Sequence, residues 1–258
     1  MKTRVISGLL LVPLLVVVYF GGPLLWALCF LIAVLGFREF AGGFEKIDVK
    51  VDIKIGYGAA VLLYIGGYFF PRPDFLLLWI VLVMAASFFS MFQLERKKLA
   101  DGMATLISVL YVVFFSYHMV LIDRSQAPLM IWLVLFAAFG TDIMAYFSGY
   151  LFGKHKLSPK ISPKKTVEGA IGGTIGSIVL CTIAGYIMMP DLILQSALIG
   201  LLGSVAAQLG DLTASMFKRN MGIKDYGDLI PGHGGVLDRF DSVLFAAPFV
   251  YYFVLFAV

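Results

Sequence analysis

Charge is what this chain has least of. Only 14% of its 258 residues are Asp, Glu, Lys or Arg, and 60% are apolar, against about 25% and 45–50% in soluble domains. That balance excludes a water-soluble fold. Cysteine is nearly absent too. Cys29 and Cys181 both lie inside apolar runs, which excludes a disulfide framework or a cysteine-ligated metal and leaves two small packing residues. No polar stretch is long enough to be cut out as a soluble domain, and neither an internal repeat nor the inverted symmetry of transporters is present. The net charge of +4 does not point to nucleic acid. The basic residues sit in short loops between apolar runs, as membrane topology requires.

What the chain has in abundance is long apolar runs, at 4–20, 23–41, 55–70, 74–92, 103–122, 127–151, 167–189, 191–215 and 238–258. Each is near the length of about 20 residues that crosses a bilayer, 55–70 being short. Counted loop by loop, 18 of the 20 Lys and Arg residues fall on one side of this nine-span arrangement. By the positive-inside rule that side is cytoplasmic. The expected fold is therefore all-α: a polytopic transmembrane helical bundle of about nine spans with its N-terminus in the cytoplasm. The loops 42–54, 93–102, 153–166 and 216–237 are expected to face the cytoplasm. The first run follows Lys2 and Arg4 like a signal peptide, but it ends in Tyr19-Phe20-Gly21-Gly22 without a small-residue cleavage site. It is read as the first span.

Polarity divides the chain in two. Residues 1–135 read as scaffold helices, with room for lipid access or subunit contacts. Residues 136–258 read as the catalytic region, because charges there stand beside or inside apolar runs among Gly, Ser and Thr. Small residues crowd 167–177 and 200–207, with Gly169–Gly173 and Gly172–Gly176 at the spacing that lets helix backbones approach closely. Such faces build a tight bundle, and they also allow a homodimer.

Within the catalytic region, Asp142 is a carboxylate in the middle of an apolar run, so it must face a partner or a wet cavity. On a helix it shares a face with Tyr146 and Gly149. The lysine-rich loop 153–166 follows, with Lys164, Lys165 and Thr166 just ahead of an expected helix start. Amines, a hydroxyl and free backbone N–H groups at a helix N-terminus suit phosphate, and Glu168 is placed to cap that end. The order of residues is not that of a P-loop. Further on, Asp211, Ser215 and Lys218 share a helix face, with Arg219 adjacent. A loop rich in glycine then leads to Asp238 and Asp241, three residues apart at the start of the last span. Carboxylates without cysteine favour a hard cation, Mg²⁺ over Zn²⁺. Lys218, Arg219, Lys224 and Arg239 beside them suit polyphosphate.

The 27 residues from Ser215 to Asp241 closely resemble the signature of phosphatidate cytidylyltransferases, also called CDP-diacylglycerol synthases. The pattern is met by Ser215, Lys218, Arg219, Lys224, Asp225, Gly227, Pro231, His233, Gly234, Gly235, Asp238, Arg239 and Asp241. The stretch Ser162–Gly169 and the run around Asp142 and Tyr146 are also similar to the family's. The resemblance implies that CTP and phosphatidic acid react to CDP-diacylglycerol and pyrophosphate at the cytoplasmic face of a membrane. It assigns Asp211, Asp238 and Asp241 to a divalent cation, Mg²⁺ or Mn²⁺. Lys164, Lys165, Lys218, Arg219 and Lys224 go to the phosphates, and Thr166 and Ser215 to substrate. Arg239 either touches phosphate or orients a carboxylate. Asp225 holds Lys224 or joins the metal. His233 contacts phosphate or pyrophosphate and is not a base. Asp142 is a ligand to a second cation or supports the first from behind.

Two rivals use similar residues. An ion-coupled transporter would place charges near the midplane in both halves, whereas here they crowd one edge of one half. A polyprenol or dolichol kinase would transfer the γ-phosphate of CTP and release CDP in place of pyrophosphate.

Overall fold

In lipid, an apolar run can satisfy its backbone hydrogen bonds by itself only as a helix, and helices are what these runs form. The computed structural model describes residues 12–92, 97–229, 232 and 234–258. Helix α1 spans Val12–Phe20 and α2 Gly22–Glu45. Gly21 and Gly22 both have positive φ, 59° and 55°, and Pro23 opens α2, so the chain turns where only glycine is unstrained. Helix α3 is Ile53–Phe69, α4 Pro73–Met91, α5 Leu99–Asp123 and α6 Met130–Phe152. Antiparallel strands β1 (Lys156–Ser158) and β2 (Ser162–Thr166) follow, pairing Lys156 with Thr166 and Ser158 with Ser162. Helices α7 (Val167–Met188), α8 (Ile193–Asn220) and α9 (Leu237–Ala257) complete the chain.

Among the described residues seven helices are long and apolar enough to cross a membrane, and they coincide with seven of the nine runs. Helix α3 has 17 residues, about 26 Å at 1.5 Å per residue, the short end of what spans. The N-terminal part of the first run lies outside the described residues. Many large apolar side chains on these helices face outward, Leu77, Val81, Tyr146 and Ile187 among them, as a lipid solvent permits.

Two helices contain π-helical segments, Val109–Phe114 inside α5 and Phe136–Gly140 inside α6. The second ends two residues before Asp142.

The chain divides into two compact units. The first comprises Met1–Tyr117 and Asn220–Arg239, the second His118–Arg219 and Phe240–Val258. The first unit is built on Phe37, Leu63, Tyr64 and Trp79, all fully buried, with the Trp79 indole donating to Ala59 O at 2.9 Å and the Tyr64 hydroxyl bonded to Ser116 Oγ at 2.9 Å. The second is closely packed through its glycines. A Cβ on Gly169 would stand 2.8 Å from Ala145 O, one on Gly173 2.9 Å from Thr141 O, and one on Gly200 2.8 Å from Ile178 Cα. The small-residue faces are thus used inside the chain, α7 against α6 and α8 against α7. Cys29 and Cys181 are buried and unbridged.

Candidate active site

In the second unit the polar residues gather where α8, α9, α6 and the hairpin meet. The α8 face read from the sequence is real. Ser215 Oγ donates to Asp211 Oδ1 at 3.3 Å, one helical turn apart, and Lys165 from β2 forms an ion pair with Asp211 Oδ2. Gly210 lets α9 come close beside Asp211, since a Cβ there would stand 2.8 Å from Asp241 O. Asp241 is buried, 8% exposed, and its Oδ1 accepts from Ser242 N at 2.8 Å. The Ser242 hydroxyl in turn reaches Asp142 Oδ2 at 3.4 Å. Asp211, Asp142 and Lys218 all lie within electrostatic range of Asp241. Three carboxylates and two ammonium groups therefore share one region. Ser242, which bridges two of the acids, lies one residue past the signature and was not legible as a site residue.

Lys164 and Lys165 stand just ahead of a helix start, as expected, but on a strand that the sequence did not suggest. They lie in β2, Lys164 exposed and Lys165 half-buried, and the helix begins at Val167. Thr166 is the N-cap, its Oγ1 accepting from Gly169 N at 3.1 Å, and it is buried where a Cβ on Gly149 or Gly153 would meet its oxygen at 2.9 Å. Its hydroxyl thus fixes the start of α7. Glu168 stands in the first turn of α7 and accepts from its own backbone N–H. Its carboxylate reaches back to Lys154 N at 3.1 Å, His155 N at 3.2 Å and His155 Nδ1 at 2.6 Å. Exposed Arg219 donates from Nε to Ile161 O at 3.3 Å, at the hairpin tip.

In the first unit the signature loop is shaped by glycine and carboxylate. Gly222, Gly232 and Gly234 have φ of 68°, 78° and 84°, conformations that L side chains rarely adopt. Asp238 is buried, and its Oδ2 accepts from Tyr226 N at 2.8 Å and Gly235 N at 3.0 Å. Through this oxygen it closes the loop. Glu39 of α2 accepts from Val236 N at 2.9 Å and Leu237 N at 2.8 Å, the backbone groups that open α9. Nothing in the sequence singles out Glu39, a lone acid near the end of an apolar run. Lys224 and Asp225 are exposed. Arg239 Nε is buried and finds no hydrogen-bond acceptor among the described residues. Pro231 and His233 lie outside the described residues.

No group of three or more Asp, Glu, His or Cys among the described residues is set to hold a metal ion. The donors that do approach one another, Asp142, Asp211 and Asp241, are all carboxylates. That is the chemistry of a hard divalent cation. Lys165 now stands at Asp211 Oδ2, so a cation there would displace an ammonium group.

The model of the cytidylyltransferase family matches residues 2–257. A phosphatidate cytidylyltransferase of Synechocystis sp. is 33% identical over 271 residues, covering 91% of this chain and 89% of that protein. One from Staphylococcus haemolyticus is 33% identical over 257 residues, covering 95% and 94%. One from Bacillus subtilis is 43% identical over 153 residues, covering 58% of this chain and 57% of that protein.

Proposed function

The chain belongs to the cytidylyltransferase family, and from that membership we propose that it is a phosphatidate cytidylyltransferase, transferring the cytidylyl group of CTP to phosphatidic acid. The observation that carries this reading is the clustering of Lys165 and Lys218 with Asp142, Asp211 and Asp241 in a membrane-embedded chain. A phosphate oxygen of phosphatidic acid attacks the α-phosphorus of CTP. The new P–O bond forms as the bond to the β-phosphate oxygen breaks, and pyrophosphate leaves. The attacking oxygen is already anionic at neutral pH, so no general base is needed. The task is to bring two polyanions together in line, which positioned charge accomplishes.

Lys165 and Lys218 neutralise the triphosphate and the lipid phosphate, with Arg219, Lys164 and Lys224 around them. Asp211 and Asp241 would hold Mg²⁺ or Mn²⁺, with Asp142 linked to Asp241 through Ser242 as support or as ligand to a second cation. Such an ion supplies charge neutralisation on the phosphates. The arrangement is a nine-span one in the cytoplasmic membrane, with the polar loops on the cytoplasmic side where CTP is found. In sealed cells a cysteine placed at Lys160 should then resist an impermeant reagent; labelling from outside would reverse the topology.

The test of function uses purified protein in detergent with phosphatidic acid, Mg²⁺ and CTP labelled at the α-phosphate. Label should become lipid-extractable, with pyrophosphate released in equal amount. Label that stays water-soluble would reject the reading, and CDP as the by-product would point to the lipid kinases instead.

A further inference from the structure

One face of α2 is shaped throughout to receive the signature loop. Gly36, Glu39, Phe40 and Gly43 recur at the spacing that stacks side chains along one side of a helix. A Cβ on Gly36 would meet Val112 Cγ1 of α5 at 3.1 Å before Leu237 Cδ1 at 3.8 Å, and one on Gly43 would meet Met221 Sδ at 2.6 Å. The Phe40 ring packs edge-on against Tyr226, centroids 5.6 Å apart. Between them Glu39 takes the N–H groups of Val236 and Leu237, one on each carboxylate oxygen. Gly227 and Gly235 lie directly against that carboxylate. A Cβ on Gly227 would stand 2.9 Å from Oε1, and one on Gly235 would overlap Oε2. The loop is thus held from both sides, by Asp238 on Tyr226 N and Gly235 N and by Glu39 on the next two N–H groups.

We infer that Glu39 is a positioning residue for the cytidylyl transfer. It fixes the start of α9, and with it the first-turn placement of Asp238 and Arg239, from a helix far away in sequence. The inference rests on the function proposed above. The chemistry requires this kind of group. The first N–H groups of a helix have no partner within it. At a membrane-spanning helix they need an acceptor, and a carboxylate answers both their hydrogen-bonding need and the positive end of the helix dipole. Without it the first turn frays, and Asp238 and Arg239 lose their fixed position. CTP contacts made by the hairpin are left as they were.

The experiment compares Glu39→Gln and Glu39→Ala with the wild type in detergent, reading kcat, the KM for CTP, and amide hydrogen exchange. Glu39→Gln keeps the side chain's size and one acceptor but turns an NH₂ toward the other N–H. Its kcat should fall about tenfold, and that of Glu39→Ala about 100-fold, as expected for one and two charge-assisted hydrogen bonds, with the KM for CTP nearly unchanged. Exchange at Val236 and Leu237 should accelerate in both variants while the amides of α4 keep their protection, which a general loss of folding would not produce. Gly235→Ala should be inactive alone. Combined with Glu39→Ala it should do no further harm than Glu39→Ala by itself, because the carboxylate it collides with is gone. If Glu39→Ala fails to fold, the isosteric Glu39→Gln gives the decision. Wild-type kcat and wild-type exchange at Val236 and Leu237 in Glu39→Gln overturn the inference. A wild-type enzyme that makes no lipid-linked product defeats the functional reading instead.

Discussion

Two polar loops hold most of the proposed site residues, and each is fastened by a glutamate, but over very different distances. The hairpin is held by Glu168, whose partners Lys154 and His155 lie 14 and 13 residues away. The signature loop is held by Glu39, whose partners Val236 and Leu237 lie 197 and 198 residues away. The first fastening is local and half-exposed, and it forms as soon as α7 forms. The second exists only when the first unit has closed. The hairpin can therefore be loosened by itself, whereas the signature loop depends on a helix that has no chemistry of its own.

Substitutions can break that comparison, starting where the effect should be greatest. Asp241→Asn should cut kcat by about 10²–10³-fold, the scale of losing one electrostatic stabiliser at a reacting centre. Its fold should persist, because an amide oxygen can still accept from Ser242 N. Asp238→Asn should lose as much activity, but through the loop. Hydrogen exchange at Tyr226 and Gly235 should rise in Asp238→Asn and stay put in Asp241→Asn. Equal exchange in the two variants would erase the distinction between an acid that acts and one that fastens.

Smaller effects belong to the hairpin. Lys165→Ala should raise the KM for CTP about tenfold and leave kcat close to wild type, since higher CTP restores a binding contact. Arg219→Ala should lower kcat instead, by a similar factor, although its present contact with Ile161 O also ties it to the hairpin. Steady-state kinetics in both substrates separates the two, and an unchanged KM in Lys165→Ala would return that lysine to the role of a membrane-side anchor. Glu168→Gln should act on the same constant as Lys165→Ala and less strongly. It keeps an acceptor for the Lys154 and His155 amides while giving up the charge.

The smallest effect is expected away from both loops. Asp52 caps α3, accepting from Lys54 N at 3.1 Å and Ile55 N at 3.2 Å, and it pairs with Lys97. Partial burial raises its pKa, but the Lys97 ion pair and the backbone donors outweigh that and hold it below the usual carboxylate value. Its contribution to stability is therefore present at neutral pH and is lost as pH falls through the lowered pKa. Asp52→Ala should cost about 1 kcal/mol of stability, the usual worth of an N-cap, seen as a lower Tm with kcat intact. A drop in kcat would show that the α3 cap matters to turnover as well as to stability.

How far the sequence could be read follows from the same contrast. Hydropathy located the helices, because in lipid an apolar run has few alternatives. Helical spacing placed Asp211, Ser215 and Lys218 on one face, because α8 is regular there. What escaped depended on pairing between distant segments. Lys164 and Lys165 were legible as residues just ahead of a helix start, but not as part of a strand from Ser162 that folds back on Lys156. Asp238 stands beside Asp241 in spacing, but the loop N–H groups that reach its Oδ2 could not be read from spacing. Glu39 gave no local signal at all. Charge beside an apolar run is ordinary at a membrane interface, and only its partners make this one unusual.

The π-helical segment at Phe136–Gly140 also bears on ancestry. Such a segment is what a helix looks like after absorbing a single inserted residue without losing its continuity. Everything downstream is turned by about 100° relative to the uninterrupted helix. Asp142 lies just downstream, so its approach to Ser242 depends on how that extra residue is absorbed. Deleting Ala137 would leave a plain α-helix with Asp142 still facing its neighbour, whereas drawing the present sequence into a plain α-helix would rotate it away. Relatives that lack the insertion would then carry the corresponding acid one position displaced, and an alignment made without a gap would pair the wrong residues.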